Sequence, residues 1–224
     1  MRSALLFCSL LLAGLTGFTQ NKIGDQPVSS DPAAKKVLDE VSAKFKTYKA
    51  VQAAFALKNE DAKGKVLDNK KGTVSMKGSK YRVSLAGGAE IFCDGSNIWT
   101  YDKGANEVTI TKLEGSSSMI TPQKLFTNFY DKDFLYKLNG EKKEAGKTLI
   151  EIEMTPVDKT KAFHKVFLLV DKNAKTIYST RILDKSGTKI SYTVSSLNGK
   201  APLTDAMFAF DKSKYPGVEE VDLR

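Results

Sequence analysis

The fold is decided by residues 72–85, GTVSMKGSKYRVSL, in which apolar and polar side chains alternate on both sides of a turn signal. The apolar positions are Val74, Met76, Tyr81, Val83 and Leu85. Between the two alternating runs lies Lys77-Gly78-Ser79. Because successive side chains of a strand point to opposite faces, this stretch predicts an antiparallel hairpin with one apolar and one polar face.

The same period of two recurs along most of the chain. Phe55 and Leu57 repeat the pattern, and about eleven short segments between Gln52 and Leu197 are rich in β-formers. Strands joined by hairpins form an antiparallel sheet, and a sheet of this size must curl. We therefore expect one mainly β domain over residues 31–224. Periodicity leaves open whether the curled sheet is filled by its own side chains or keeps a cavity.

Two amphipathic helices are predicted beside the strands. Asp31-Pro32 has the pattern of an N-cap followed by proline at the first helical position. The apolar positions that follow at spacings of three and four are Val37, Leu38, Val41, Phe45 and Tyr48. Thr121-Pro122 starts the second helix, with Leu125, Phe126, Phe129 and Tyr130 within it. Both helices must dock on an apolar surface.

The N-terminus has the pattern of a secretory signal peptide. Arg2 precedes the apolar run Ala4–Leu15, and the small residues Gly17 and Thr19 allow cleavage after residue 19. We expect residues 1–19 to be removed, residues 20–30 to form a flexible leader, and the protein to reach the periplasm. Processing would leave Cys93 as the one cysteine, and we expect its thiol to be buried.

Composition disfavours several functional classes. The 35 Lys and Arg residues exceed the 26 Asp and Glu residues, giving a net charge of +9. With a signal peptide, this excess fits a solvated surface or an anionic membrane better than a nucleic acid. The one histidine, His164, has no nucleophile motif near it, and a zinc site needs more ligands than this chain offers. We expect no cofactor, metal ion or catalytic residue.

Two further motifs resemble functional sites, and each also has a structural explanation. The Gly140–Thr148 segment resembles a phosphate loop, but five residues separate Gly140 from Gly146 where the loop needs four, and strand patterns flank it. We expect a charged hairpin turn. Glu151 and Glu153 share one strand face, which would suit a glycosidase pair but also the wet face of a strand.

The chain resembles the LolA family of periplasmic carriers of outer-membrane lipoproteins. The similarity rests on the order and spacing of several pieces rather than on one motif. These pieces are Val51–Phe55, Gly72–Lys77, Tyr81–Val83, Ile91–Asp102, Thr121-Pro122, Val170-Asp171 with Ile177, Phe208–Phe210 and Pro216–Asp222. They cover nearly all of the chain after residue 31.

The resemblance implies a curled, unclosed antiparallel β-barrel with helices over its mouth and an apolar cavity for acyl chains. The expected acyl-binding residues are Phe55, Leu57, Val74, Met76, Tyr81, Val83, Leu85, Trp99, Leu125, Phe126 and Phe129. The last three belong to the helix that matches the family's lid. One departure concerns the lid: Gly78 stands where the family often carries an arginine before a proline, and alternation turns Arg82 away from Tyr81.

The resemblance implies a monomeric carrier, not an enzyme, that moves lipoproteins from the inner to the outer membrane. Its partners would be acylated lipoproteins, an inner-membrane transporter that extracts them and an outer-membrane acceptor, with no nucleic acid. A periplasmic lipid-binding sensor of the same fold is the first alternative. An enzyme that uses Glu151 and Glu153 on envelope glycans is the second.

Overall fold

The computed structural model describes residues 30–113 and 130–224. The elements, in chain order, are α1 (Pro32–Lys46), β1 (Val51–Glu60), β2 (Val66–Lys77), β3 (Lys80–Leu85), β4 (Glu90–Cys93), β5 (Asn97–Asp102), β6 (Glu107–Lys112), α2 (Tyr130–Asp133), β7 (Phe134–Glu144), β8 (Lys147–Pro156), β9 (Phe163–Asp171), β10 (Thr176–Asp184), β11 (Lys189–Asn198), two 3₁₀ helices (Asp205–Phe208 and Lys212–Lys214) and β12 (Glu219–Asp222).

The twelve strands form one sheet in the order β12-β6-β5-β4-β3-β2-β1-β11-β10-β9-β8-β7. Every neighbouring pair is antiparallel except β12 with β6, which is parallel. Because β12 and β7 are the two ends of this order and do not pair, the barrel is unclosed. The fold class predicted from the sequence is confirmed.

Helix α1 begins as predicted and covers one face of the sheet. The Asp31 side chain accepts hydrogen bonds from the backbone N–H groups of Ala33 (2.8 Å) and Leu138 (3.1 Å), so the cap also ties the helix to β7. Leu38 and Val41 are buried, and the helix packs against β7 and β10. The predicted lid residues Leu125, Phe126 and Phe129 lie outside the described residues.

The strand bounds differ from the prediction at several places. Strand β2 begins at Val66, six residues before the alternation starts, because its polar first half pairs with β1. Strand β12 was not predicted, since Glu219–Asp222 is short and mostly polar and pairs with a strand about 110 positions earlier. Strand β7 runs to Glu144, so most of the expected Gly140–Thr148 turn is strand and the turn itself is limited to residues 144–147. The other observed strands contain the predicted segments, except that β6 ends at Lys112, one residue before the predicted end. No helix within the described ranges is both long and apolar enough to cross a membrane.

Candidate functional site

The largest apolar cluster lies on the sheet face that α1 covers, and we call it the α1-face cluster. Its buried residues are Ala34, Leu38, Val41, Val51, Ala53, Phe55, Leu57, Val74, Met76, Tyr81, Cys93, Ile98, Tyr130, Phe134, Tyr136, Ile150, Ile152, Met154, Phe163, Val166, Leu168, Val170 and Ile177. It joins α1 to strands on both sides of β1. The alternation of apolar residues in the sequence therefore defines one continuous surface.

Seven of the predicted acyl-binding residues come together on this surface. Phe55, Leu57, Val74, Met76 and Tyr81 are buried members of the α1-face cluster, and Val83 and Leu85 are partly buried against it. Strand register explains the grouping, because Val74 stands directly opposite Val83 and Met76 opposite Tyr81. Their shared face is as predicted, and their contact with acyl chains stays a prediction.

Trp99 does not belong to this group, and its assignment to the same face was wrong. It stands directly opposite Phe92 on β4 and Ile110 on β6, and it packs with Tyr101 and Val108. Ile98, its neighbour in the sequence, is the β5 residue of the α1-face cluster. The period of two places Ile98 and Trp99 on opposite faces, so the alternation in β5 already contained this signal.

The sequence prediction also missed apolar residues of the same face. Those that are only partly buried against the α1-face cluster include Ile91, Leu138, Ile182, Ile190, Tyr192, Val194 and Leu197. Most of them lie on β10 and β11, whose alternation was recognised as strand but not as part of the site. With Val83 and Leu85 they leave an apolar wall that is partly open to solvent.

A glycine makes room for two side chains of this wall. A Cβ atom at Gly72 would lie 2.6 Å from Cζ of Phe55 and 2.9 Å from Cδ2 of Leu85. Such distances are far below van der Waals contact, so only glycine allows the Phe55 ring to lie across β2. Gly72 thus sets the position of two predicted acyl-binding residues.

Burial keeps three ionisable side chains of this face, Tyr81, Cys93 and Tyr192, in their neutral forms. Burial raises the pKa of the Tyr81 hydroxyl, with a smaller contribution from the neighbouring Cys93 thiol. Burial likewise raises the pKa of Cys93, which is fully buried as expected, and of Tyr192. These residues add no charge to the apolar wall at neutral pH.

The opposite face of β3 to β6 carries a second apolar group, which we call the C-terminal cluster. It consists of Tyr101, Val108 and Val218 with Trp99, Phe210 and Tyr215 packed against them. The Tyr215 ring lies 4.5 Å from the rings of both Phe210 and Tyr101, measured between centroids. The segment after β11 therefore folds back over the sheet and fills this face with aromatic rings.

Arg82 lies on the side of the C-terminal cluster, away from Tyr81, as alternation predicts. Its guanidinium lies 4.6 Å from the centroid of the Phe92 ring and pairs with Glu90 at 2.6 Å. Gly78 lies in the β2–β3 turn with φ +59°, a conformation that disfavours an arginine side chain there. Arg82 is therefore engaged on the face away from Tyr81, and the β2–β3 turn carries glycine at the position where the family often has arginine.

An ion-pair network joins α1 to α2. The Tyr130 hydroxyl donates a hydrogen bond to Oδ1 of Asp39 (2.8 Å) on α1. Lys35 pairs with Asp39 at 3.0 Å and with Asp131 at 3.3 Å, and the Tyr136 hydroxyl donates to Asp131. Burial and the charge of Asp39 raise the pKa of Tyr130, which keeps its hydroxyl protonated as a donor.

The carboxylates considered for catalysis take part in ion pairs and hydrogen bonds within the sheet. Glu153 pairs with Lys165, Glu151 lies 4.0 Å from Lys142, and the Asn139 amide donates to both carboxylates. His164 is exposed on β9. Among the residues that the structure describes, no group of three or more His, Cys, Asp or Glu side chains is placed to hold a metal ion.

Comparison with known proteins agrees with this architecture. Residues 46–211 match the family model of the outer membrane lipoprotein carrier protein LolA. An outer-membrane lipoprotein carrier protein of Cupriavidus necator is 26% identical over 194 residues, which are 84% of this chain and 89% of that protein.

Two solved structures show the same fold at low sequence identity. A conserved protein of Thermus thermophilus has a TM-score of 0.58 at 14% identity, covering 85% of this chain and 99% of its own. The Mycobacterium tuberculosis lipoprotein LppX has a TM-score of 0.50 at 16% identity, and the match covers 78% of this chain and 99% of that one. The family match covers well over half of the sequence and coincides with the unclosed sheet and its apolar face, and so the chain belongs to the LolA family of outer-membrane lipoprotein carrier proteins.

Proposed function

We propose that this protein is a periplasmic carrier that binds the acyl chains of lipoproteins against its α1 face and moves them from the inner to the outer membrane. The observation that carries the proposal is the apolar wall of β3, β10 and β11, whose side chains are only partly buried. These partly buried side chains extend over strands on both sides of β1, whereas those of the C-terminal cluster are the three rings of Trp99, Phe210 and Tyr215.

The energetics explain why such a wall is needed. Exposing an acyl chain of roughly 16 carbons to water costs about 12 kcal/mol, at about 0.8 kcal/mol for each methylene. Two or three chains on one lipoprotein make unaided transfer through water negligibly slow. A wall of Val83, Leu85 and Tyr192 offers comparable burial and needs no nucleotide, so the protein acts by binding rather than by catalysis.

The first experiment is a release assay. The exported protein is incubated with energised spheroplasts, and newly made lipoproteins are followed from the membrane pellet to the soluble fraction. We expect soluble, acylated lipoprotein in complex with this protein. Binding of a fluorescent acyl probe without release would favour the lipid-sensor alternative, and absence of both would exclude an acyl-binding function.

A pair of variants assigns the binding face. Val83→Asp places a charge on the apolar wall and should reduce acyl-probe affinity at least 100-fold, because a carboxylate there must be desolvated or displace the chain. Thr73→Asp adds the same charge to an exposed residue of β2 on the opposite face and should leave affinity unchanged. Circular dichroism must show that both variants fold. Equal affinity of Val83→Asp and the wild type would place acyl binding elsewhere.

A further inference from the structure

The exposed large apolar residues of the described chain are concentrated at one end of the sheet. Val66 and Leu67, at the start of β2, are 49% and 59% exposed, and Val157, just after β8, is 51% exposed. The strand order puts the start of β2 and the end of β8 at the same end. Leu223, the fourth exposed residue of this kind, follows β12 at the opposite end.

Val66 and Leu67 are presented by an ordered turn. The Asp61 side chain accepts hydrogen bonds from the backbone N–H groups of Lys63 and Lys65, both at 2.9 Å. Asp61 and Lys65 also pair through their backbones at 3.0 Å. The two apolar side chains are therefore held in solvent by a hydrogen-bonded hairpin turn. Local disorder does not explain their exposure.

Lysines with no acidic partner lie on both sides of the apolar pair in the sequence. Lys58 and Lys70 are paired with Glu60 and Asp68. Within residues 30–113 and 130–224, no ion pair involves Lys63, Lys65 or Lys71, and all three are exposed. Two exposed apolar side chains on a hairpin that also carries three unpaired lysines are complementary to a bilayer that contains anionic lipids, because the apolar groups enter the headgroup region while the ammonium groups meet phosphates.

A second copy of the chain fits this end less well. Strand β3 ends at Leu85 opposite Gly72, so β2 has an unpaired edge from Val66 to Lys70 that another strand could join. Lysines along such an edge oppose that pairing, and here they flank it on both sides. The charge therefore favours the membrane over a strand partner.

We propose that the tip of the β1–β2 hairpin, residues 61–71, docks on the surface of an anionic bilayer, with Val66 and Leu67 inserted among the lipid headgroups. This contact goes beyond the proposed carriage of acyl chains, because it involves the outside of the sheet at one end and needs no bound cargo. It would bring the protein to the membrane at which cargo is exchanged.

The test is sedimentation of the exported protein with vesicles, after mass spectrometry has shown that no leader remains. Vesicles of phosphatidylcholine alone are compared with vesicles that also contain phosphatidylglycerol. We expect binding to the anionic vesicles that weakens with salt. The double variant Val66→Thr/Leu67→Thr, which places β-branched side chains suited to a strand at both positions, should bind about tenfold more weakly. Lys63→Glu/Lys65→Glu should lose more, about 25-fold or greater, because neutralising each lysine costs about fivefold and the added carboxylates repel the anionic surface.

Matched variants at the opposite end of the sheet serve as controls. Leu223→Thr removes the other exposed apolar residue, and Lys143→Glu/Lys200→Glu makes the same change of charge in two exposed, unpaired lysines. Both should bind within twofold of the wild type, since they lie well beyond a Debye length from the docked tip. Equal losses in hairpin and control variants, or no binding by the wild type, would overturn the proposal.

Two further readouts separate this proposal from its rivals. A wild-type dimer in size-exclusion chromatography that becomes monomeric in Val66→Thr/Leu67→Thr would assign the hairpin to a second copy and overturn membrane docking. Acyl-probe affinity of the hairpin variants should equal that of the wild type, while Val83→Asp should keep vesicle binding. Membrane docking and acyl binding can therefore fail independently.

Discussion

Strands β3 to β6 place apolar side chains on both faces of the sheet, and the two faces are covered differently. On the side of Trp99, the C-terminal segment brings Phe210 and Tyr215 onto the strands and buries Val108 completely. On the α1 face, Val83 and Tyr192 remain partly exposed. Apolar content therefore does not distinguish a core from a binding surface. The two faces differ in what covers them: the C-terminal segment packs aromatic rings on one, and on the other the partly buried side chains extend over strands on both sides of β1.

The largest predicted effect concerns the face that the C-terminal segment covers. Phe210→Ala removes a ring that contacts Phe92, Tyr101 and Tyr215 and should lower the free energy of unfolding by about 3 kcal/mol. Acyl-probe affinity, measured where the variant is folded, should not change. Chemical denaturation gives the first quantity and a fluorescence titration the second. A loss of affinity in the folded variant would show that the two faces do not act separately.

A smaller effect is expected from overpacking the α1 face. Gly72→Ala forces a methyl group against Phe55 and Leu85 and should cost about 2 kcal/mol. Gly88→Ala is the matched control, because its nearest neighbour, Cβ of Leu85, would lie at an ordinary 3.5 Å. Here we also expect acyl affinity to fall, since Phe55 and Leu85 must move. Equal stability of the two variants would mean that the Phe55 ring has room to shift.

The smallest effect concerns the helix that covers the α1 face. Asp31→Ala removes the cap and the link to Leu138 and should cost about 1 kcal/mol, whereas Asp31→Asn keeps an acceptor and should cost less. The backbone N–H groups of Leu138 and Ala33 lower the pKa of Asp31 below its ordinary 3.8.

The lowered pKa fixes the sign of the pH dependence. The charged carboxylate stabilises the fold at pH values above 3.8, and that stabilisation is lost as the pH falls through the lowered pKa. Unfolding midpoints of Asp31→Asn should therefore change less than those of the wild type between pH 5 and about pH 2. Parallel curves for the two proteins would assign the acid sensitivity to other carboxylates.

Local patterns predicted most of the fold because they depend on neighbouring residues. Alternation located the strands and the shared face of Val74 and Val83, and Asp31-Pro32 located the start of α1. Strand β12 escaped because its polar residues carry no alternation and its partner is distant in sequence. Trp99 was included on the strength of the family resemblance, although alternation with Ile98 turns it to the other face.

Periodicity could not predict how completely the chain's own side chains fill the α1 face of the sheet. The partly open state of Ile190 and Tyr192 depends on how far the sheet curls and on what covers it, and neither quantity has a local signature. The folding back of Phe210 and Tyr215 onto β5 likewise depends on a contact across more than 100 residues.

The lack of pairing between the end strands β12 and β7 affects how the sheet can deform. In a closed barrel, strand number and register fix the circumference, so a larger guest must break ladder hydrogen bonds. Here the two end strands are free of each other, and their distance can change by small adjustments of twist while all eleven ladders stay intact. The separation of the two end strands can therefore adjust to the size of a molecule bound against the sheet.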